Sequence, residues 1–165
     1  MLGVITALAS IALSPFLAAT AVASPPLYAL LSGYSAIAPL LAQRLTGSTG
    51  SATITAACCA VIAWPFSPLG LLLLIAMIAP AAAMDAVHAA RRVLGGTTPW
   101  LAASAGAVVI FALSLPIISP DQFTPAVIGL TLVGRLASYA LACAAALAIA
   151  RALTRVGVRR RLLRP

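Results

Sequence analysis

Three ionisable side chains lie within long apolar stretches of this sequence: Asp85, His88 and Arg135. A carboxylate in such a place could hold a cation or an amine, and a guanidinium could hold a carboxylate or a phosphate. Either charge is costly in apolar surroundings unless it faces protein, water or a ligand. Asp85 and Arg135 are therefore the first candidates for binding.

The spacing predicts that Asp85 and Arg135 lie at similar depths in an apolar layer. Asp85 is six residues before Arg91, or about 9 Å of helix, and Arg135 is ten residues after Pro125, or about 15 Å. In a layer about 30 Å thick the two side chains could meet. In one interpretation they form a buried structural ion pair, and in a second they line one ligand cavity. In a third, Arg135 is not buried and its side chain reaches the membrane–water interface.

Hydroxyl groups accompany these charges. Tyr28 and Ser32 lie one helical turn apart, and Tyr139 follows Arg135 by one turn and extends the same face. Such a polar aromatic group suits a face turned toward a small polar ligand. The predicted ligand-binding residues are Asp85, Arg135, Tyr28, Ser32 and Tyr139.

Sequence motifs for catalysis are absent. The sequence has no P-loop, no His-Glu-x-x-His zinc motif and no Gly-x-Ser-x-Gly turn. Two acidic residues and one histidine are too few for most metal-assisted chemistry. We expect no enzymatic activity, no cofactor and no metal.

The composition predicts that these residues are positioned by membrane helices. The chain of 165 residues is 63% hydrophobic and 7% charged, with a mean hydropathy of +1.14. Such a chain cannot cover itself with polar surface, so its solvent is expected to be lipid. Long unbroken apolar runs favour helices, which satisfy their own backbone hydrogen bonds in hydrocarbon.

Prolines, glycines and arginines divide the chain into six predicted spans. These are about Leu2 to Ala23, Leu27 to Ala42, about Ala52 to Trp64, Leu71 to Ala90, Trp100 to Ile118 and about Pro125 to Leu153. The third span is short, so five helices are possible if Ala52 to Met77 forms one kinked helix. We predict an all-α bundle of six transmembrane helices over residues 1–153.

Arginine placement favours six helices over five. With six, Arg44, Arg91-Arg92 and the C-terminal arginines all fall on one side of the membrane, as the positive-inside rule requires. Both termini are then cytoplasmic, with a basic tail at 154–165. The net charge is +8, and six of the ten arginines lie from Arg151 onward, where we expect contact with lipid headgroups and no nucleic-acid partner.

Small residues at helical spacing form a strip on the first helix. The strip consists of Gly3, Ala7, Ser10 and Ser14. Small residues let helix backbones approach closely. We predict that this strip is an interface with a partner subunit; packing within the bundle is the alternative.

The chain resembles the substrate-binding S components of energy-coupling factor (ECF) vitamin transporters. The resemblance covers roughly Ser24 to Ala90 and is closest to the thiamine or hydroxymethylpyrimidine type. It rests on Pro26-Leu27-Tyr28-Ala29-Leu30, Arg44-Leu45-Thr46-Gly47, Ser67-Pro68-Leu69-Gly70 and the helix that ends near Asp85.

This resemblance implies a multi-pass protein of the bacterial plasma membrane that captures a vitamin or vitamin precursor from outside. A transmembrane coupling subunit and two cytoplasmic ATPase subunits would be its partners. The competing hypothesis is a membrane interaction or assembly subunit without transport activity, in which the buried ion pair is purely structural.

Overall fold

The computed structural model describes residues 2–67, 70–90, 97–117 and 124–155. Apart from turns, these residues are helical. The α-helices are α1 Leu2–Ala23, α2 Pro25–Leu31, α3 Ile37–Thr46, α4 Ser51–Ala63, α5 Leu72–Ala89, α6 Thr98–Ser114 and α7 Pro125–Arg155. Short 3₁₀ segments occupy Ser32–Ala36, Trp64–Phe66 and Leu115–Ile117. Helical segments are present at the six predicted places, and their described boundaries lie within a few residues of those expected.

The second span differs from its prediction because it is broken in the middle. Its two α-helical parts, α2 and α3, are joined by the 3₁₀ segment Ser32–Ala36. The 3₁₀ form is tighter than the α-helix and often marks a functional hinge when it interrupts a helix. This break lies beside the candidate site described below.

A tight turn joins α3 to α4 and depends on two glycines. Gly47 ends α3 with φ 64° and donates its N–H to the carbonyl of Gln43, and Gly50 precedes α4 with φ 89°. Both glycines are in the left-handed region, which side chains disfavour. The turn brings the end of α3 beside the beginning of α4.

Helices α4 and α5 form an antiparallel pair. Ala52 and Ala56, at the start of α4, pack with Ala81 in the middle of α5. Ala63 at the end of α4 shares a cluster with Leu73 at the start of α5. The two segments are therefore separate helices, and the alternative of one kinked helix over Ala52 to Met77 is wrong.

The longest helix, α7, has 31 residues, or about 46 Å. It packs against α2, α3 and α6. The main core cluster is rich in small side chains, which allow close helix contact; its members are Ala36, Leu40, Leu41, Met84, Ala102, Ala103, Ala107, Tyr139, Ala142, Cys143 and Ala146.

The outer surface is apolar. Large side chains such as Ile5, Ile54 and Leu141 are about two-thirds exposed, at 65%, 67% and 66%. By length and composition, Leu72–Ala89 and Pro125–Arg155 are the two described helices that qualify as membrane spans, and the apolar segments Ser51–Phe66 and Thr98–Ser114 are shorter. An apolar outer surface of this kind is more compatible with lipid than with water.

Candidate functional site

Asp85 binds the beginning of α4 and the end of α3. Its Oδ2 accepts hydrogen bonds from the backbone N–H and the hydroxyl of Thr53, at 2.8 and 2.6 Å. Its Oδ1 accepts from Nε2 of Gln43 at 2.7 Å and from the backbone N–H of Ala52 at 3.4 Å. The carboxylate thus caps a helix N-terminus on a neighbouring span, where the helix dipole also favours negative charge.

Arg135 is not among these partners, so the predicted ion pair with Asp85 is wrong. Arg135 contacts Ser32, while Asp85 contacts Gln43, eleven residues further along the same broken span. At the rise of a helix that separation is roughly 17 Å. The depth estimate failed because α7 is much longer than the apolar layer, so counting from Pro125 does not locate Arg135 within that layer.

Arg135 is a buried cation, with only 4% of its surface exposed. Its Nη1 donates a hydrogen bond to the hydroxyl of Ser32, and its guanidinium carbon lies 5.2 Å from the centroid of the Tyr28 ring. Its Nε is enclosed and has no hydrogen-bond partner among the described residues. The charge is therefore only partly compensated by the part of the protein that the structure describes.

Small residues on α7 and in the 3₁₀ segment allow α7 to pack closely against α2 and this segment, which places the Arg135 side chain beside them. A Cβ added at Gly134 would lie 3.2 Å from the carbonyl oxygen of Pro26, and one at Gly33 would overlap Ser138. Ser138 donates its hydroxyl hydrogen to the carbonyl of Leu30. Arg135 lies on the same stretch of α7, so this close packing fixes its position beside Ser32.

A cavity of about 330 Å³ lies beside Ser32. This volume is within the range of small-molecule sites. Seven of its thirteen lining residues carry hydroxyl groups, although most of the wall surface is apolar; the lining residues are Ser10, Ile11, Ser14, Leu17, Tyr28, Ser32, Tyr34, Ser35, Ala63, Phe66, Ser67, Leu73 and Met77.

Four serine hydroxyls in the wall of this cavity, those of Ser10, Ser14, Ser32 and Ser35, donate to backbone carbonyls. Ser14 donates to the carbonyl of Ile11 at 3.0 Å, and Ser35 donates to the carbonyl of Ser32 at 3.0 Å. A serine hydroxyl can rotate and has accepting lone pairs to spare. These side chains can therefore bind a polar ligand without leaving a buried group unpaired in its absence.

The predicted ligand-binding residues separate into three places. Tyr28 and Ser32 line the cavity, and Arg135 contacts both from behind the wall. Tyr139 is buried deeper, beside Gly106, and lines a separate void of about 30 Å³. Asp85 lines neither space.

The α1 strip also lies elsewhere than predicted. Ala7 is fully buried against α4, and a Cβ added at Gly3 would lie 2.9 Å from the carbonyl oxygen of Thr55. Ser10 and Ser14 face the cavity. The small residues allow α1 to approach α4 within the chain, so this strip is not an exposed interface for a partner.

Phe66, Ser67 and Met77 line the cavity but are not among the residues that the sequence predicts for the site. Phe66 and Ser67 lie in the break between α4 and α5, and Met77 lies in the first part of α5, which is apolar up to Met84. In an apolar stretch of helix, the sequence pattern does not distinguish a residue that faces a cavity from one that faces lipid.

Comparison with known proteins gives a structural match. No protein-family model and no curated protein matches the chain. A solved structure described as an S-component of an ECF transporter superposes with a TM-score of 0.84 and 22% sequence identity, over 96% of this chain and 83% of that one. The two chains share a fold, which agrees with the resemblance seen in the sequence.

Proposed function

We propose that this chain is the substrate-binding membrane subunit of an ECF-type importer for a vitamin or vitamin precursor. The observation that carries the proposal is the 330 Å³ cavity between α1, the α2 region, the α4 end and α5, within a fold shared with an S-component. The cavity is partly open to the outside and combines apolar surface with several hydroxyl groups, as sites for small molecules do.

The residues have distinct roles in this proposal. Tyr28 and Ser32 contact the ligand, with Arg135 behind them, and Tyr34 and Phe66 add aromatic surface for a flat ring. Asp85 keeps α3, α4 and α5 together at the other end of the broken span. A thiamine-related ligand is the narrower form of the proposal, and it would be held here by aromatic contact rather than by Asp85.

Transport would also require other subunits and a defined orientation. The sequence has no ATP-binding motif, so a transmembrane coupling subunit and two cytoplasmic ATPases would supply the energy. We place the chain in the bacterial plasma membrane with both termini in the cytoplasm, following the arginine distribution. An Arg159→Cys variant should resist a membrane-impermeant thiol reagent in intact cells; labelling would contradict this topology.

The proposal is tested by filling the cavity. Wild-type protein, purified in mild detergent, should retain a small molecule that native mass spectrometry detects. Ser14→Phe should abolish retention, because Ser14 lines the cavity, whereas Ser104→Phe on the exposed side of α6 should not. Wild-type protein without any retained molecule or ATPase partner would contradict the proposal.

The alternative of a non-transport assembly subunit loses its main support. It rested on a structural ion pair between Asp85 and Arg135, which the structure does not form. The same mass-spectrometry experiment distinguishes it, since an assembly subunit would retain protein partners but no small molecule.

A further inference from the structure

We infer that the cavity selects small molecules that carry a carboxylate or phosphate group, with Arg135 as the residue that binds this group. The inference rests on the proposed function and narrows it to a ligand charge. Its basis is the mismatch between the charge of Arg135 and the partners that surround it.

Arg135 has far more hydrogen-bonding capacity than the described residues use. A guanidinium presents five N–H donors in a planar fork. Among the described residues it makes one hydrogen bond, to Ser32, and its enclosed Nε makes none. Its side chain is 96% buried, as the 4% exposure implies, so water has little room to satisfy the rest.

No described carboxylate is placed to balance this charge. The chain has two acidic residues, and Asp85 already accepts four hydrogen bonds from α3 and α4. The other, Asp121, lies outside the described residues. The Tyr28 ring offers a cation–π contact, which stabilises the charge without supplying an acceptor. A carboxylate or phosphate would supply both a charge and two acceptor atoms in the geometry that arginine prefers.

The cavity gives such a group a route to Arg135. Ser32 and Tyr28 line the cavity and also contact Arg135, which does not itself line it. Ser32 also begins the 3₁₀ segment, where a small backbone adjustment is least disruptive to an α-helix. An acidic group at Ser32 can therefore share or replace the hydroxyl as the acceptor for Arg135.

Fragments that differ mainly in charge test the inference. The probes are benzoate and phenyl phosphate, neutral benzamide and cationic benzylammonium, each titrated into purified wild-type protein by calorimetry. Their phenyl ring matches the aromatic wall of Tyr34 and Phe66. We expect the anions to bind about tenfold more tightly than benzamide, as a charge-assisted pair of hydrogen bonds predicts. Tighter binding of benzamide or benzylammonium would overturn the inference.

Matched variants assign the effect to Arg135. Arg135→Gln should remove the preference for benzoate over benzamide, and Arg135→Lys should keep part of it, since lysine retains the charge but lacks the fork. Arg151→Gln, an exposed arginine on the same helix, should keep the full preference. An unchanged preference in Arg135→Gln would overturn the inference. Thermal melting of each variant, together with binding by Arg135→Lys, distinguishes a lost preference from a misfolded protein.

The molecule retained by purified protein separates this inference from the proposed function. A retained acid that is lost in Arg135→Gln supports both. A retained neutral or cationic molecule leaves the proposed function standing and overturns the charge assignment. If no fragment binds and no molecule is retained, both fail.

Discussion

Two buried charges in this protein have opposite surroundings. Asp85 receives four hydrogen bonds, from two side chains and two backbone N–H groups. Arg135 has a single hydrogen bond to Ser32 and an unpartnered Nε among the described residues. A saturated charge can hold helices together, whereas an unsaturated one is ready for a further partner. This difference is the basis on which we propose a structural role for Asp85 and a ligand-binding role for Arg135.

The backbone around each residue explains the difference. Asp85 faces the first turn of α4, where N–H groups lack partners within their own helix. Arg135 lies in the interior of α7 and faces the 3₁₀ segment, where side chains must supply most acceptors because helical backbone groups are already paired. The same polypeptide thus offers ready partners at a helix end and few in a helix interior.

The largest expected effect is on stability when Asp85 is removed. Asp85→Ala leaves the Gln43, Ala52 and Thr53 donors without their acceptor, and we expect a loss of about 3–5 kcal/mol, comparable to breaking a buried charged pair. Unfolding in a mixed-detergent titration measures it. Asp85→Asn keeps one acceptor and should lose less. Wild-type stability in the Ala variant would contradict the structural role.

The next largest effect on stability is expected where α7 packs closely against the 3₁₀ segment. Gly33→Ala should cost about 1–3 kcal/mol, because the new Cβ overlaps Ser138. Gly129→Ala on the open part of α7 is the matched control and should gain up to about 1 kcal/mol from helix propensity. The same unfolding titration compares them. Equal changes in stability for the two substitutions would show that α7 does not pack closely against the 3₁₀ segment.

Removing the Ser32 hydroxyl should have a smaller effect. Ser32→Ala takes away the described hydrogen-bond acceptor of Arg135, and we expect a stability loss of about 1 kcal/mol. Ser104→Ala, whose hydroxyl bonds only to its own exposed helix, is the control. A loss no greater than in this control would mean that Ser32 does little to hold Arg135.

The smallest stability change is expected for Arg135 itself. Arg135→Met keeps the length of the side chain and removes a poorly compensated charge, so stability should change by less than about 1 kcal/mol or increase. Benzoate binding, measured by calorimetry, should be lost at the same time. A destabilisation as large as that of Asp85→Ala would show that Arg135 is a structural residue.

The sequence was sufficient to predict where the helices begin and end but not which residues of different helices contact each other. Breakers such as Pro25 and the glycines near Thr46 predicted where helices begin and end, because these residues act locally. Asp85 binds Gln43 and Thr53, which are 42 and 32 residues away, and no local pattern encodes that choice.

The α1 strip shows the same limit. Its small residues at four-residue spacing correctly indicate a close helix contact. They do not indicate whether the neighbour is α4 of the same chain, as found for Ala7, or another subunit. The 3₁₀ break at Ser32–Ala36 was missed because Gly33 alone does not distinguish a break from a tolerated glycine in a helix.

The most direct test of the contrast between the two charges is an experimental structure of the protein with its retained small molecule. Our account predicts density for that molecule in the cavity beside Tyr28 and Ser32, with an acceptor atom within about 3.2 Å of the Arg135 guanidinium and Asp85 still bound to Thr53. Density beside Asp85, with Gln43 or Thr53 displaced from it, would contradict the account.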